Sequence, residues 1–239
     1  MLAGDGPGLV LVPGMDGTGR LFYRQVPLLA RRYRVATYQL RDDAPDMATL
    51  VDDLAEVAAT AGAAEAGVVV VGESFGGALA LSFALANPQV VRALVILNSF
   101  PRFLPQARLT LALQALRVMP WEAMPLVRRL TAFRLHSRYT HRAEIRRFME
   151  LTKETSRDGY VGRLRILQAY DVRDRLSELA MPVLFLASER DHLVPAVREA
   201  QSMASRVPQA TVRILPGHGH ICLIAPNLDL GRLLEEWQP

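Results

Sequence analysis

The chain has 239 residues, half of them hydrophobic and 22% charged, with a formal net charge of +4. That length buries a sizeable core as one domain, or as one domain carrying a smaller insertion, and the balance fits an ordinary globular protein. The single cysteine, Cys222, excludes an internal disulfide and a cysteine-based metal site; no signal-peptide pattern and no membrane-length apolar stretch occurs, so a cytoplasmic protein without integral membrane association is expected.

Taken in order, strand and helix signals alternate. Gly8 to Val12 reads as a short buried strand that ends in the turn-rich loop Pro13-Gly14-Met15-Asp16-Gly17-Thr18-Gly19. A helix is expected over Leu21 to Arg32, a second strand over Arg34 to Leu40, and a helix over Met47 to Ala61 with Leu50, Leu54 and Val57 on one face. Asp16 reads as the acceptor of its own Asp-Gly turn.

The next stretch organises the rest. Val68 to Val71 is a run of four valines, the signature of a strand buried on both faces. It runs directly into Gly72-Glu73-Ser74-Phe75-Gly76-Gly77 and then into helix-forming residues up to Asn87-Pro88. A strand that becomes a helix within five residues sets its middle residue, Ser74, on a tight and strained bend, and glycines two before and two after remove the side chains that would clash. The bend lifts the hydroxyl above the sheet edge, and the helix start leaves backbone N–H groups, Phe75 first, free to face an anion. G-x-S-x-G alone is a weak signal; between a valine run and a helix it is a strong one.

A fourth strand is expected over Val90 to Leu97, ending at Asn98-Ser99-Phe100-Pro101. Between Phe100 and Glu178 the composition changes to 16 Lys+Arg against 8 Asp+Glu, a net charge of +8. Almost all of these cations are arginines, which could suit an acidic substrate, a phospholipid surface or a phosphate-bearing coenzyme. Because they interleave with apolar residues, solvated faces of amphipathic helices are the plainer account. Leu109, Leu113 and Leu116, then Leu126, Leu130 and Phe133, then Ile145, Phe148, Met149 and Thr152 recur at helical spacing. Residues 101–178 are therefore expected to form a helical cap that leaves the carboxyl end of a strand, the ligand face of such sheets, with residues 1–100 and 179–239 as the core. Met119, Trp121, Met124 and Phe133 are candidates for an apolar substrate pocket, though such stripes are more often plain core. His136 and His141 have no carboxylate or cysteine cluster around them and read as surface residues without metal-ligand spacing.

The fifth strand is expected over Pro182 to Ala187 and the sixth over Thr211 to Leu215, with a helix from near Pro195 between them and a last helix from Pro226 to Trp237. Strands and helices in alternation argue for a mostly parallel sheet of about six strands with helices on both faces, an α/β fold. A serine hydroxyl is a poor nucleophile and needs a base with a third group to hold it. The loops after the last two strands supply both types, Glu189 and Asp191 after the fifth, His218 and His220 after the sixth.

Pro13-Gly14-Met15-Asp16-Gly17, Gly72-Glu73-Ser74-Phe75-Gly76, Glu189-Arg190-Asp191 and Gly217-His218-Gly219-His220 together resemble the α/β-hydrolase superfamily from the first strand to the last helix. The likeness is nearest to its esterase and acyltransferase branch, in which P-G-x-D-G stands in the oxyanion loop and the elbow reads G-E-S-F-G. The resemblance implies Ser74 as nucleophile, Asp191 as the acid that orients the imidazole, His220 as general base, and the backbone N–H groups of Met15 and Phe75 as oxyanion donors. It favours His220 over His218 because the family histidine closes a G-x-G-H turn, and Asp191 over Glu189 because the acid stands before a Pro-started helix. Cys222 reads as a small buried hydrophobe. The expected activity is a carboxylesterase for small to medium apolar acyl esters; a fatty acyltransferase and a non-catalytic binding protein on the same fold are the alternatives. The expected partner is a small-molecule ester, with no nucleic acid, cofactor or metal, and with peripheral lipid contact by the arginine-rich segment left open.

Overall fold

A computed structural model describes residues 2–237 of the chain, apart from the side chains of Glu65, Ala132, Phe133 and Arg134. Its strands are β1 (Leu2–Ala3), β2 (Gly8–Val12), β3 (Arg34–Thr37), β4 (Val68–Glu73), β5 (Val91–Leu97), β6 (Val183–Ser188) and β7 (Ala210–Leu215). Its α-helices are α1 (Val26–Leu29), α2 (Met47–Thr60), α3 (Ala63–Ala66), α4 (Phe75–Ala86), α5 (Gln106–Val118), α6 (Met124–Leu135), α7 (Arg142–Leu151), α8 (Arg157–Ala169), α9 (Ala196–Ala204) and α10 (Leu230–Trp237). The strands form one sheet in the order β1-β3-β2-β4-β5-β6-β7, parallel except for β1, which runs antiparallel to β3. This is the α/β-hydrolase fold, with a two-residue edge strand too short to leave a periodic signal.

The valine run behaves as its composition requires. Val68 and Val70 point into the core that holds α2, α4 and α9, whereas Val69 and Val71 point into a second core with α1 and α10. Both faces are covered, so every residue of β4 is buried and no alternation survives. On the first face α2 starts where Asp46 accepts the Thr49 N–H at 2.9 Å, and it buries Leu50, Leu54 and Ala58 at four-residue spacing. Among the described residues no helix is long and apolar enough to cross a membrane.

Two expected helices are shortened by local chemistry. Leu21 to Arg32 is not continuous but a 3-10 turn over Arg20–Arg24 followed by α1, because Pro27 has no N–H to bond the turn before it. The last helix begins at Leu230 rather than Pro226, since Asp229 accepts the Arg232 N–H at 3.0 Å and caps it there.

The segment between β5 and β6 is helical, with α5 to α8 and three 3-10 turns. The stripe on α5 is buried at Leu109 and Leu116. The stripe on α6 is not: Leu126 and Leu130 are 58% and 63% exposed. Periodicity marks an apolar stripe on a helix but does not say what covers it, and α6 turns Arg128 and Leu135 inward instead.

Chain order changes direction at β2, which has β3 on one side and β4 on the other. Val12 at the end of β2 is in register with Gly72 on β4, so the Pro13–Gly19 loop and the Ser74 bend emerge side by side at the carboxyl edge. In parallel sheets such a switch point is where a crevice opens.

Candidate active site

Ser74 has φ 55° and ψ −118°, a backbone conformation that non-glycine residues avoid and that marks a locally strained bend. The neighbours hold it there. A Cβ at Gly76 would stand 2.2 Å from Val12 O, and one at Gly72 would stand 2.3 Å from Gly76 O, so both positions require glycine. The Ser74 N–H donates to Leu97 O at 2.9 Å, and Ser99 Oγ donates to Ser74 O at 2.7 Å. Phe75 opens α4, so its N–H has no intrahelical acceptor.

His220 Nε2 lies 3.0 Å from Ser74 Oγ, and His220 Nδ1 lies 2.7 Å from Asp191 Oδ2. Asp191 is fixed from behind, since its Oδ1 accepts the N–H groups of Leu193 and Val194, both at 2.9 Å. The two competing residues sit elsewhere. Glu189 Oε2 accepts the Gly217 N–H at 2.8 Å and so braces the histidine loop. His218 is buried with Nδ1 2.7 Å from Ser137 Oγ and Nε2 3.3 Å from Asn227 Nδ2.

Several residues around this line carried no signal in the sequence. Asn98, at φ 49°, donates from Nδ2 to Ser188 Oγ and to His220 O, each at 2.9 Å, and its Oδ1 accepts the Ser188 N–H at 2.8 Å. One amide thereby ties the ends of β5 and β6 to the histidine loop. Arg163 on α8 is 2% exposed; its Nη1 donates to Met15 O at 3.2 Å and its Nη2 to Asp42 Oδ1 at 2.9 Å. Gly17 lies against that guanidinium, where a Cβ would be 2.3 Å from Nη2. The segment between β5 and β6 therefore contacts the loop that carries Met15. It also contacts the histidine loop, because the Ile221 N–H donates to Leu135 O at 2.8 Å and the Arg138 N–H to Gly217 O at 3.2 Å. His136 joins this seam through a β-bridge to Ile221 and is buried, with its ring edge-on to Phe148 at 4.9 Å, not on the surface as its sparse neighbourhood suggested. Burial pushes its pKa down to about 4.

Beside Ser74 and His220 is a cavity of about 140 Å³, with Leu21, Leu135, Phe148, Leu193 and Ile221 as apolar wall and Arg128 and Tyr160 among its polar groups. Met119, Trp121 and Met124 do not reach it. Met124 is buried in the core and the other two pack against it, Trp121 standing behind Tyr160 at 5.8 Å between ring centroids. The side chain of Phe133 lies outside the described residues. Helical spacing identifies a residue as inward-facing without distinguishing a cavity from solid core, and Met119, Trp121 and Met124 fall on the core side of that distinction.

The site is electrostatically tuned. Burial opposes charging of His220, but the Asp191 carboxylate, by its charge and its hydrogen bond, outweighs burial, and Glu73 adds to it; the imidazole pKa is held above its ordinary value. Burial pushes the Glu73 carboxyl up to about 7. Burial also raises Asp16, against the hydrogen bonds from the N–H and hydroxyl of Thr18 at 3.0 and 2.7 Å. Cys222 is buried and its thiol pushed up to about 12, so it is held as an inert thiol.

The alpha/beta hydrolase family matches residues 9–232. The pimeloyl-[acyl-carrier protein] methyl ester esterase of Xanthomonas campestris pv. campestris is 33% identical over 233 residues, which cover 91% of this chain and 89% of that protein. Among solved structures, MenH from S. aureus superposes with a TM-score of 0.83 at 18% identity over 98% of this chain and 95% of that one. A hydrolase from Pseudomonas aeruginosa PA01 superposes with a TM-score of 0.80 at 23% identity over 92% and 86%. With a match that spans nearly its whole length and an elbow at the switch point of the sheet, the chain belongs to the alpha/beta hydrolase family.

Proposed function

We propose that the protein is a serine carboxylesterase that cleaves small acyl esters through an acyl-enzyme on Ser74. The observation that carries this reading is the hydrogen-bonded line from Ser74 Oγ through His220 to Asp191 at the floor of a cavity. In the proposed mechanism His220 Nε2 takes the Ser74 proton as Oγ attacks the ester carbonyl. The N–H groups of Met15 and Phe75 hold the tetrahedral oxyanion, His220 returns its proton to the departing alcohol, and water repeats the sequence to release the acid. Kinship with a methyl ester esterase at 33% identity supports hydrolysis. A cavity of about 140 Å³ is close to the size that accepts one benzene molecule, which favours short acyl groups over fatty chains. The insertion serves as the lid over that cavity. Labelling of Ser74 by a fluorophosphonate, with p-nitrophenyl esters from acetate to palmitate as substrates, tests the reading; folded protein that neither labels nor turns over any ester would sink it.

Working as a base, His220 must be neutral, so its raised pKa places the acidic limb of kcat/KM above the ordinary imidazole value of about 6.5. Glu73 contributes an anion that stabilises the imidazolium. Glu73→Gln is therefore expected to move that limb toward lower pH, by about half a pH unit. A limb that stays in place in the variant would remove Glu73 from the electrostatics of the base.

Arg163 acts here as a positioning residue for the oxyanion loop through its bond to Met15 O. Arg163→Met is expected to lower kcat by roughly 10- to 100-fold with little change in KM, because a donor displaced by an ångström loses most of its effect on the transition state. A loss of thermal stability with kcat intact would mark Arg163 as a packing residue only.

A further inference from the structure

Among the described residues, Arg128 is the one arginine or lysine lining the cavity beside Ser74. Its Nη1 donates to Thr152 O, and its guanidinium stands 5.9 Å from the Trp121 ring centroid. Among the described residues no carboxylate lies within 4.0 Å of it, whereas the buried Arg163 is paired with Asp42 at 2.9 Å. Tyr160, which interacts electrostatically with Arg128, lines the same cavity, and its hydroxyl has no hydrogen-bond partner among the described residues. Arg128 is half-buried, and a guanidinium partly withdrawn from water without an anion carries a desolvation cost that a ligand's anion would offset. Asp16, the acid that influences Arg128 most directly, is engaged with Thr18 through Oδ2. Asp16 and Glu73 line the same cavity; of the two only Asp16 acts on Arg128, and burial raises its pKa, which favours its neutral form and leaves the guanidinium charge less opposed.

We propose that the preferred ester carries a free carboxylate a few bonds from its scissile carbonyl, and that Arg128 and Tyr160 bind that carboxylate while Ser74 attacks the ester. The proposal rests on the esterase reading above and deepens it: the substrate class becomes short, singly charged esters in place of neutral ones. Arg fits this role because its planar fork matches a carboxylate with two parallel hydrogen bonds, and a neighbouring phenol adds a third donor. With a cavity of about 140 Å³, the span between the two groups must be short. The carboxylate can belong to the acyl side, as in a half-ester of a four- or five-carbon diacid, or to the alcohol side, as in an acetylated hydroxy acid.

The test compares kcat/KM of the full chain on matched pairs by pH-stat. Monoethyl succinate is set against ethyl pentanoate for the acyl side, and O-acetylglycolate against ethyl acetate for the alcohol side. In at least one pair the charged ester is expected to be preferred by about 10- to 100-fold, the worth of a charge-assisted contact, and the preferred pair assigns the side. Arg128→Met should abolish the preference, and Arg128→Lys should recover part of it. Calorimetric binding of monoethyl succinate and O-acetylglycolate to Ser74→Ala, lost in Ser74→Ala/Arg128→Met, reports the contact independently of turnover. Neutral esters cleaved as well as or better than charged ones in both pairs, or a preference untouched by Arg128→Met, would overturn the proposal while leaving the esterase intact. Absence of turnover and of fluorophosphonate labelling would instead overturn the esterase reading, and the calorimetric arm would still decide the role of Arg128.

Discussion

Ser74→Ala is expected to lower turnover of an activated acyl ester on the order of 10⁴-fold or more, with substrate affinity largely retained. The substitution removes the one atom within 3.0 Å of His220 Nε2 that can carry the acyl group. It changes little else, because alanine must occupy the same strained backbone at φ 55° and the flanking glycines still admit the bend. In the proposed mechanism the Met15 and Phe75 amides and substrate binding remain, and a residual rate above that in water is expected from them. Steady-state rates on p-nitrophenyl acetate, with fluorophosphonate labelling of both proteins, measure the effect. Near-full activity in the variant would exclude Ser74 as the nucleophile.

Asp191→Asn should lower kcat by about 10³- to 10⁴-fold, although it exchanges one atom for another of similar size. Asp191 Oδ1 accepts two backbone N–H groups, from Leu193 and Val194. An asparagine must turn its only oxygen toward those donors, and its amide NH₂ then faces His220 Nδ1. That nitrogen becomes the acceptor, the ring proton moves to Nε2, and the nitrogen facing Ser74 can no longer take a proton. Single-turnover rates separate this loss of chemistry from binding. Turnover that stayed within about tenfold of the parent would assign the orienting role to another group.

Much of the frame was legible because it is written locally. The valine run and the Pro-Gly-rich loop after Gly8–Val12 each specify their conformation within a dozen residues, and Gly72 clears the nearby Gly76 O, although Gly76 itself answers to Val12 O on the neighbouring strand. The Leu21 to Arg32 helix is broken for an equally local reason, the missing N–H of Pro27. The pocket lining was illegible for a different reason. Trp121 and Met124 face inward as expected, but Phe148, Ile221 and Leu193, drawn from three separate segments, reach the cavity first.

Taken alone, the sequence determined that a serine stands on a strained strand-to-helix bend and that acids and histidines follow the last two strands, since short-range backbone geometry dictates both. Only the tertiary structure decided which of them meet. Ser74 and His220 are 146 residues apart, and the choice of His220 over His218 depends on Asn98, Glu189 and Ser137 gripping one loop from three directions. The same holds for Arg163 and Arg128: along the chain they are two among many arginines in a basic segment, and what sets them apart is that folding buries Arg163 against a carboxylate and half-buries Arg128 beside a cavity.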